Sequence, residues 1–364
     1  MAEVTADSSA VPQCTDSAEL QSVTKEGSQE DVLVTKGEAI DENATLLSKA
    51  EQLYDDDKLL EAGRILRQID QSKFESKHET ILQKATKGEE LVKKLKSTLD
   101  GDDNEWVIHG VSKGEFPTLT AHRLDEVSDG KGVKLTARCE TPVDKSLLSP
   151  FLSVLNETEL YETWLPSWNV PRFKVTKCKK LSQRGRCSQV LIVTFSIPWP
   201  MASREVVLLA DGIDDIDKNG DIAIRLRSLN TGDEDNLVPP SEDKSTVRVD
   251  IDGGFLICKC PNDHPALLQD QKKKGSSSND DKILITFAAS MDPKMKLLPQ
   301  SFLNFLVKVA FAFCWSILLK IARDVQNGKR EDHKKKIAEK REVLYDWVES
   351  RLKEMLSFGQ AMST

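Results

Sequence analysis

The chain lacks most of the features that announce an enzyme or a nucleic-acid binder. Positive charge is not in surplus: 51 Lys and Arg against 59 Asp and Glu leave a net charge of -8 at pH 7, whereas a general nucleic-acid binder is usually basic. Nucleic acid is therefore not expected as a partner. Histidines number five (His78, His109, His122, His264 and His333). None stands in the His-Glu-x-x-His spacing of a zinc hydrolase or in a triad order. No glycine-rich loop is present to cradle phosphates. The seven cysteines are odd in number and follow no framework of spacings, which argues for a reduced, cytoplasmic setting rather than a disulfide scaffold. MAEVTADSSAVPQC at the start has neither a basic region nor an apolar core, so no secretory signal is read there. A clean uncharged apolar run is missing too. Phe302–Ala322 comes nearest in length to a membrane span but contains Lys308 and Lys320.

Two weak metal-like patterns dissolve on inspection. Cys258-Lys-Cys260 with His264 offers two thiolates and one histidine but no fourth ligand, and alternation along a strand puts two such cysteines on one face anyway. DIDKNGD, Asp215–Asp221, lacks the twelve-residue ligand order and terminal Glu of a calcium loop and reads as a turn. No metal, no cofactor and no catalytic residues are expected, and the chain is read as a non-enzyme.

What is present falls into four stretches. Residues 1–42 are polar and acidic with few aromatics, and their composition predicts a disordered tail. Residues 43–98 predict helices. Leu46, Leu47, Ala50, Leu53 and Tyr54 repeat at helical spacing, Leu59, Ala62, Ile65, Leu66 and Ile69 do so after the DDDK break, and a third helix follows. The pair is similar to a single tetratricopeptide-type unit, which cannot bury its own apolar face and must pack on the next domain or on a protein partner; the next domain is favoured. From Trp106 the period changes to strands: TLTAHRLDEV, GVKLTARCET, FKVTKCKKLS, CSQVLIVTFSI, EVVLLADGI, DIAIRLRSL, STVRVDIDGGFLICKC and KILITFAAS. A helical piece, DKSLLSPFLSVLNETELYETWLP, separates the second from the third, and a long apolar helix opened by Leu298-Pro299 follows the last. Strands segregated from helices predict an α+β domain, with the long helix as the cover for one face of an antiparallel sheet. Residues 327–364 predict an amphipathic helix with Ile337, Val343, Leu344, Trp347, Val348, Leu352 and Leu356 on its apolar side and Lys334–Lys336 beside it. Its lysines are either a solvated face or an attraction to anionic lipid surfaces.

Four motifs carry a resemblance. Trp164-Leu-Pro-Ser-Trp168 follows the inner helical piece. PWPMASREVV leads into a central strand with Arg204-Glu205. STVRVDIDGGFLI and SMDPKMKLLPQSFLNFLVK follow, the last being the most specific. In this order, over roughly Leu99 to Val325, they resemble the START family, the steroidogenic-acute-regulatory-related lipid-transfer domains. Met295 stands where the family often has Gly, and Glu205 where it has Asp. The resemblance implies a helix-grip fold over residues 99–326, a curved antiparallel sheet wrapped on the long C-terminal helix. It implies one lipid, of phospholipid, sterol or ceramide class, held in an apolar tunnel and carried between membranes without cofactor or metal.

The residues expected to line that tunnel are Leu191, Val193, Phe195, Val207 and Leu209 on central strands, with Phe305, Val309 and Phe313 on the last helix. That helix is apolar almost all round. Phe302, Phe305, Leu306, Val309, Phe313 and Ile317 form one stripe, and Leu303, Val307, Ala310, Phe311, Cys314, Trp315 and Leu318 form another. The second stripe is expected against other protein, such as the N-terminal hairpin, ahead of membrane contact and of spanning. The loop 197–204 carries Trp199 and Met201 where polar turn residues would be usual; with helix 298–325 it is expected to form a gate or a transient contact with a membrane surface. The carboxylate and arginine that sterol-binding members place beside the opening loop fall on Leu191 and Ala210. Arg204 is the remaining polar candidate, with a structural ion pair as its simpler role. The alternative to lipid transfer is a scaffold that binds protein partners through 43–98 or 327–364, and a third reading is an enzyme on the same scaffold.

Overall fold

The computed structural model describes residues 29–99, 106–126, 133–165, 167–169, 172–197, 202–230, 237–241, 243, 245–274, 282–292, 294 and 311–361. The chain forms two units, Met1–Thr45 and Leu46–Thr364. In the first, the described backbone belongs to helix α1 (Gln29–Asp55). Composition predicts disorder through residue 42, whereas this helix starts at Gln29. No proline interrupts it, and extending a helix costs far less than nucleating one.

In the second unit, α2 (Leu59–Leu66) and α3 (Ser76–Leu99) form a close pair. A Cβ on Gly63 would overlap the Ala85 side chain, so the approach of the two helices depends on that glycine. Leu60, Val92 and Leu95 are buried against Ile213 and Ala223 of the sheet. The hairpin's apolar surface is thus covered within the chain.

Eleven strands form one sheet among the described residues: β1 (Val107–Val111), β2 (Leu119–Glu126), β3 (Val133–Asp144), β4 (Ser167–Asn169), β5 (Arg172–Gln183), β6 (Ser188–Ser196), β7 (Arg204–Asp215), β8 (Asp221–Ser228), β9 (Val247–Arg248), β10 (Asp250–Lys259) and β11 (Lys282–Asp292). Their order is β1-β2-β3-β11-β10-β8-β7-β6-β5-β4, antiparallel throughout, with β9 pairing β7 in parallel. Register shifts between Val175 and Lys177 and between Lys180 and Ser182 bend the β5–β6 pair, as bulges do. The first strands pair with the last because β3 docks on β11, Cys139 opposite Phe287.

One face of the sheet grips helices. Helix α4 (Leu148–Asn156) and the closing helix, here called α7 (Ala312–Gln326), pack there after α5 (Ile216–Asn219) and α6 (Pro265–Lys274) have been laid down elsewhere. Phe255 and Phe287 are cross-strand partners with ring centroids 4.6 Å apart. Trp315 stacks on both and donates from Nε1 to Thr141 Oγ1 at 2.8 Å. The architecture is therefore an α+β helix grip. Among the described residues the second apolar stripe of the closing helix does not meet α2 or α3, whose Leu60, Val92 and Leu95 pack with Ala223 on the other face of the sheet. Phe311 and Trp315 meet the sheet instead, and α4 packs beside them.

The tail continues as α8 (Glu331–Glu339), a π-helical turn Arg341–Tyr345 and α9 (Asp346–Ala361). Leu344, Tyr345, Val348, Leu352 and Met355 join the main core. Its apolar side is thus occupied by its own domain except at Val343, which is 71% exposed. Among the described residues no helix is long and apolar enough to cross a membrane.

Buried in this junction, His333 faces Ser153 Oγ at 3.4 Å and its Nε2 has no partner. Burial holds the imidazole below its ordinary pKa of 6.5, against the pull of Asp332. An unfolded chain therefore takes up this proton near pH 6.5 while the folded one does not, and stability falls as pH drops below that value. His333→Gln should flatten the decline of the urea midpoint between pH 7 and pH 5; an unchanged slope would remove His333 from the acid response.

Candidate functional site

Between the gripping face, α4, α7 and the tail lies a cavity of about 470 Å³. That is within the range of small-molecule sites, roughly 300–1,000 Å³. The sheet supplies its wall by register. Leu191 sits opposite Leu208 and Val193 opposite Val206, and all four side chains line the space. Ala210, opposite Gln189, and Leu226, opposite Ala210, extend the same surface. Ile222, Ile224, Phe255 and Phe287 continue it across β8, β10 and β11. Phe311 comes from the N-cap of α7, Cys314, Trp315 and Leu318 from α7 itself, and Leu344, Trp347, Val348 and Leu352 from the tail.

The predicted lining residues divide. Leu191, Val193 and Phe195 line the cavity. Val207 and Leu209 do not: they point to the opposite face and pack with Val190, Ile192, Leu229 and Val238. The correction follows from antiparallel pairing, which sets an odd residue of β6 opposite an even residue of β7. Phe313 is a second correction. It is 37% exposed and its helical neighbours Cys314 and Trp315 turn inward instead. Phe305, Val309, Trp199 and Met201 lie outside the described residues. Arg204 is 6% exposed, is not part of the lining, and donates to the Ala202 carbonyl at 2.6 Å. The ion pair beside it belongs to Glu205, which meets Arg248 at 2.6 Å. Leu191 and Ala210, the positions compared with the sterol-site carboxylate and arginine, both line the cavity and bring no charge.

Charge enters from residues that sequence spacing does not single out. Arg186 lies beside Cys187, its Nη1 3.0 Å from Asp57 Oδ2, its Nε donating to the Val343 carbonyl at 3.0 Å, and its guanidinium over the Trp347 ring. Trp347 in turn donates to the Asp56 carbonyl at 3.0 Å. Arg351, 3% exposed, meets Asp214 at 2.5 Å, Asp217 at 3.0 Å and Glu354. Burial opposes its charge, but hydrogen bonding and attraction from Asp214, with the pull of Asp217 and Glu354, raise its pKa above the ordinary value. These contacts clamp the tail over the cavity. Glu157, 1% exposed, adds another clamp by accepting from Tyr345 Oη at 2.6 Å and Lys340 Nζ at 2.5 Å.

The fold resembles those of several solved structures. They include human STARD10, 17% identical with a TM-score of 0.43 over 66% of this chain and 81% of that one. Human StAR-related lipid transfer protein 5 is 15% identical, with a TM-score of 0.44 over 66% of this chain and 97% of that one. A STAR-related lipid transfer protein from Xanthomonas axonopodis is 16% identical, with a TM-score of 0.41 over 60% and 99%. No protein-family model matches the sequence, and no curated protein matches it either.

Nucleophilic groups in the cavity are muted. Burial pushes the thiols of Cys187 and Cys314 up to about 12, so both are held protonated at neutral pH. Cys258 and Cys260 pack with Leu267 and Leu284 away from it, and His264 pairs with Glu140 at 3.0 Å. Among the described residues no three His, Cys, Asp or Glu side chains gather as a metal-holding group.

Proposed function

We propose that this protein binds one lipid in the cavity without chemical change and carries it between membrane surfaces in the cytoplasm. The observation that supports this reading is the lining: a space of about 470 Å³ walled mostly by aliphatic and aromatic side chains from sheet, helix and tail. Burial of hydrocarbon there contributes about 0.8 kcal/mol per methylene, which retains a long chain or ring system without a covalent bond. Protonated thiols in the wall suit a carrier better than a catalyst. The hairpin and tail spend their apolar faces inside the chain, which favours a carrier over a scaffold. Loop 197–204 and helix 298–325 are the proposed gate, with Trp199 and Met201 as its apolar contacts to helix or bilayer. Phospholipid, sterol and ceramide are the candidate cargoes.

The test is extraction and transfer. The purified chain should carry lipid detectable by mass spectrometry, and should speed exchange of a fluorescent lipid between donor and acceptor vesicles. Protein free of lipid that also leaves vesicle exchange at its spontaneous rate would refute the reading.

A further inference from the structure

We infer that the cargo is an uncharged lipid bearing a free hydroxyl, and that Gln189 selects it; this rests on the lipid-binding reading above. Two observations carry the inference. The first is an unused acceptor. Gln189 lines the cavity at 6% exposure, and its amide oxygen Oε1 is buried without any partner. Its Nε2 faces the Asn156 carbonyl at 3.5 Å, which orients the amide group. A buried acceptor left unpaired is costly and rare in native proteins, so a ligand that donates to it gains what the free protein lacks. The same cavity holds an unused donor, Nε1 of Trp164. A hydroxyl is the small neutral group that both donates and accepts.

The second observation is the charge balance. The charged residues in the described lining are Asp57, Arg186, Asp214 and Arg351. Arg186 is faced by Asp57 and Asp56, and Arg351 by Asp214, Asp217 and Glu354. Arg186 Nη1 makes no hydrogen bond but stands 3.0 Å from Asp57 Oδ2, and the carboxylates outnumber the guanidiniums they face, so a phosphate headgroup would meet net negative charge here. Beyond Gln189 the inward residues of β6 are Leu191, Val193 and Phe195. At roughly 3.3 Å per residue this track is about 20 Å long, a path for hydrocarbon running from a polar start.

The experiment uses the full chain and phosphatidylcholine vesicles. In separate arms the vesicles carry cholesterol, a diacylglycerol or a ceramide, the O-methyl ether of each, or phosphatidic acid, and protein-bound lipid is quantified by mass spectrometry. At least one hydroxyl lipid should be retained about tenfold better than its ether, the value of one hydrogen bond to a buried acceptor. Gln189→Leu should erase that preference, the hydroxyl lipid and its ether then being retained alike. Should that variant fail to fold, by far-ultraviolet circular dichroism, the wild-type preference for hydroxyl over ether decides alone. Equal retention of lipid and ether, or a preference for phosphatidic acid or phosphatidylcholine, would overturn the inference and leave lipid binding standing. Retention of no lipid at all would instead remove the lipid-binding reading, and this one with it.

Discussion

Leu208→Glu should reduce retention of an apolar fluorescent probe at least a hundredfold while the protein stays folded. Leu208 lines the cavity, opposite Leu191 on the next strand. A carboxylate placed there must either lose its hydration beside the hydrocarbon or draw water into the space. Either route costs several kcal/mol, and about 2.8 kcal/mol already corresponds to a hundredfold. The neighbouring substitution is the control. Leu209 is 3% exposed, on the other face, packed with Val190, Val207 and Leu229. Leu209→Glu should lower stability by about 3 kcal/mol, combining lost burial with an unpaired buried charge, and should leave probe affinity alone at temperatures where the protein remains folded. Probe titration and urea melting of both variants check this. Two variants with the same phenotype would mean that the register-derived faces of β7 do not separate cavity from core.

Arg351→Met should cost about 3 kcal/mol and quicken ligand exchange. Methionine keeps much of the side-chain stem but removes the charge that meets Asp214 and Asp217. Breaking a buried ion pair is strongly destabilising because the abandoned partner stays desolvated, and the Asp214 side chain is only 8% exposed. Arg351 anchors the helix whose Val348 and Leu352 line the cavity, so loosening it opens a wall. Urea midpoints measure the first effect, and stopped-flow release of bound probe measures the second. Arg351→Lys should restore part of the stability, because the charge returns without the forked geometry. Destabilisation with an unaltered release rate would make the tail a brace rather than a wall.

These experiments turn on contacts that differ in how far the sequence discloses them. The long strands, the inner helical piece and the closing helix are all written in periodicity and punctuation, and an α+β domain with that helix covering the sheet follows from their order; the grip itself is what the resemblance of the four motifs implies. The faces of β7 are not. Arg204–Asp215 opens with REVVLLAD, apolar at consecutive positions, because both faces of this strand are covered. Val207 and Leu209 sit beneath Leu229 and Val238 while Val206 and Leu208 face the cavity. Alternation carries no direction when both phases are apolar, and only pairing with β6 assigns it. The closing helix hides its orientation in the same way. Two apolar stripes compete, and the one with Phe311, Cys314, Trp315 and Leu318 faces the cavity. The tail's amphipathic pattern was visible, but its partner was not. Arg351 and Asp214 are 137 residues apart in the chain, and nothing local to either announces the other. Gln189 is quieter still: one polar residue at the head of an apolar strand reads as an ordinary boundary.

The cavity draws its wall from residues as far apart in the chain as Asp57 and Leu352. A chain leaving the ribosome completes strands β6 to β8 long before Leu344, Val348 and Leu352 exist. At roughly 5–20 residues per second, the inner face of those strands stays without its tail cover for on the order of ten seconds. In that interval the nascent protein is an open apolar trough, the kind of surface that chaperones and other half-made chains find first. Its yield should therefore depend on how promptly the tail emerges, and slow codons placed between β8 and the tail should cost more soluble protein than the same codons placed before β6.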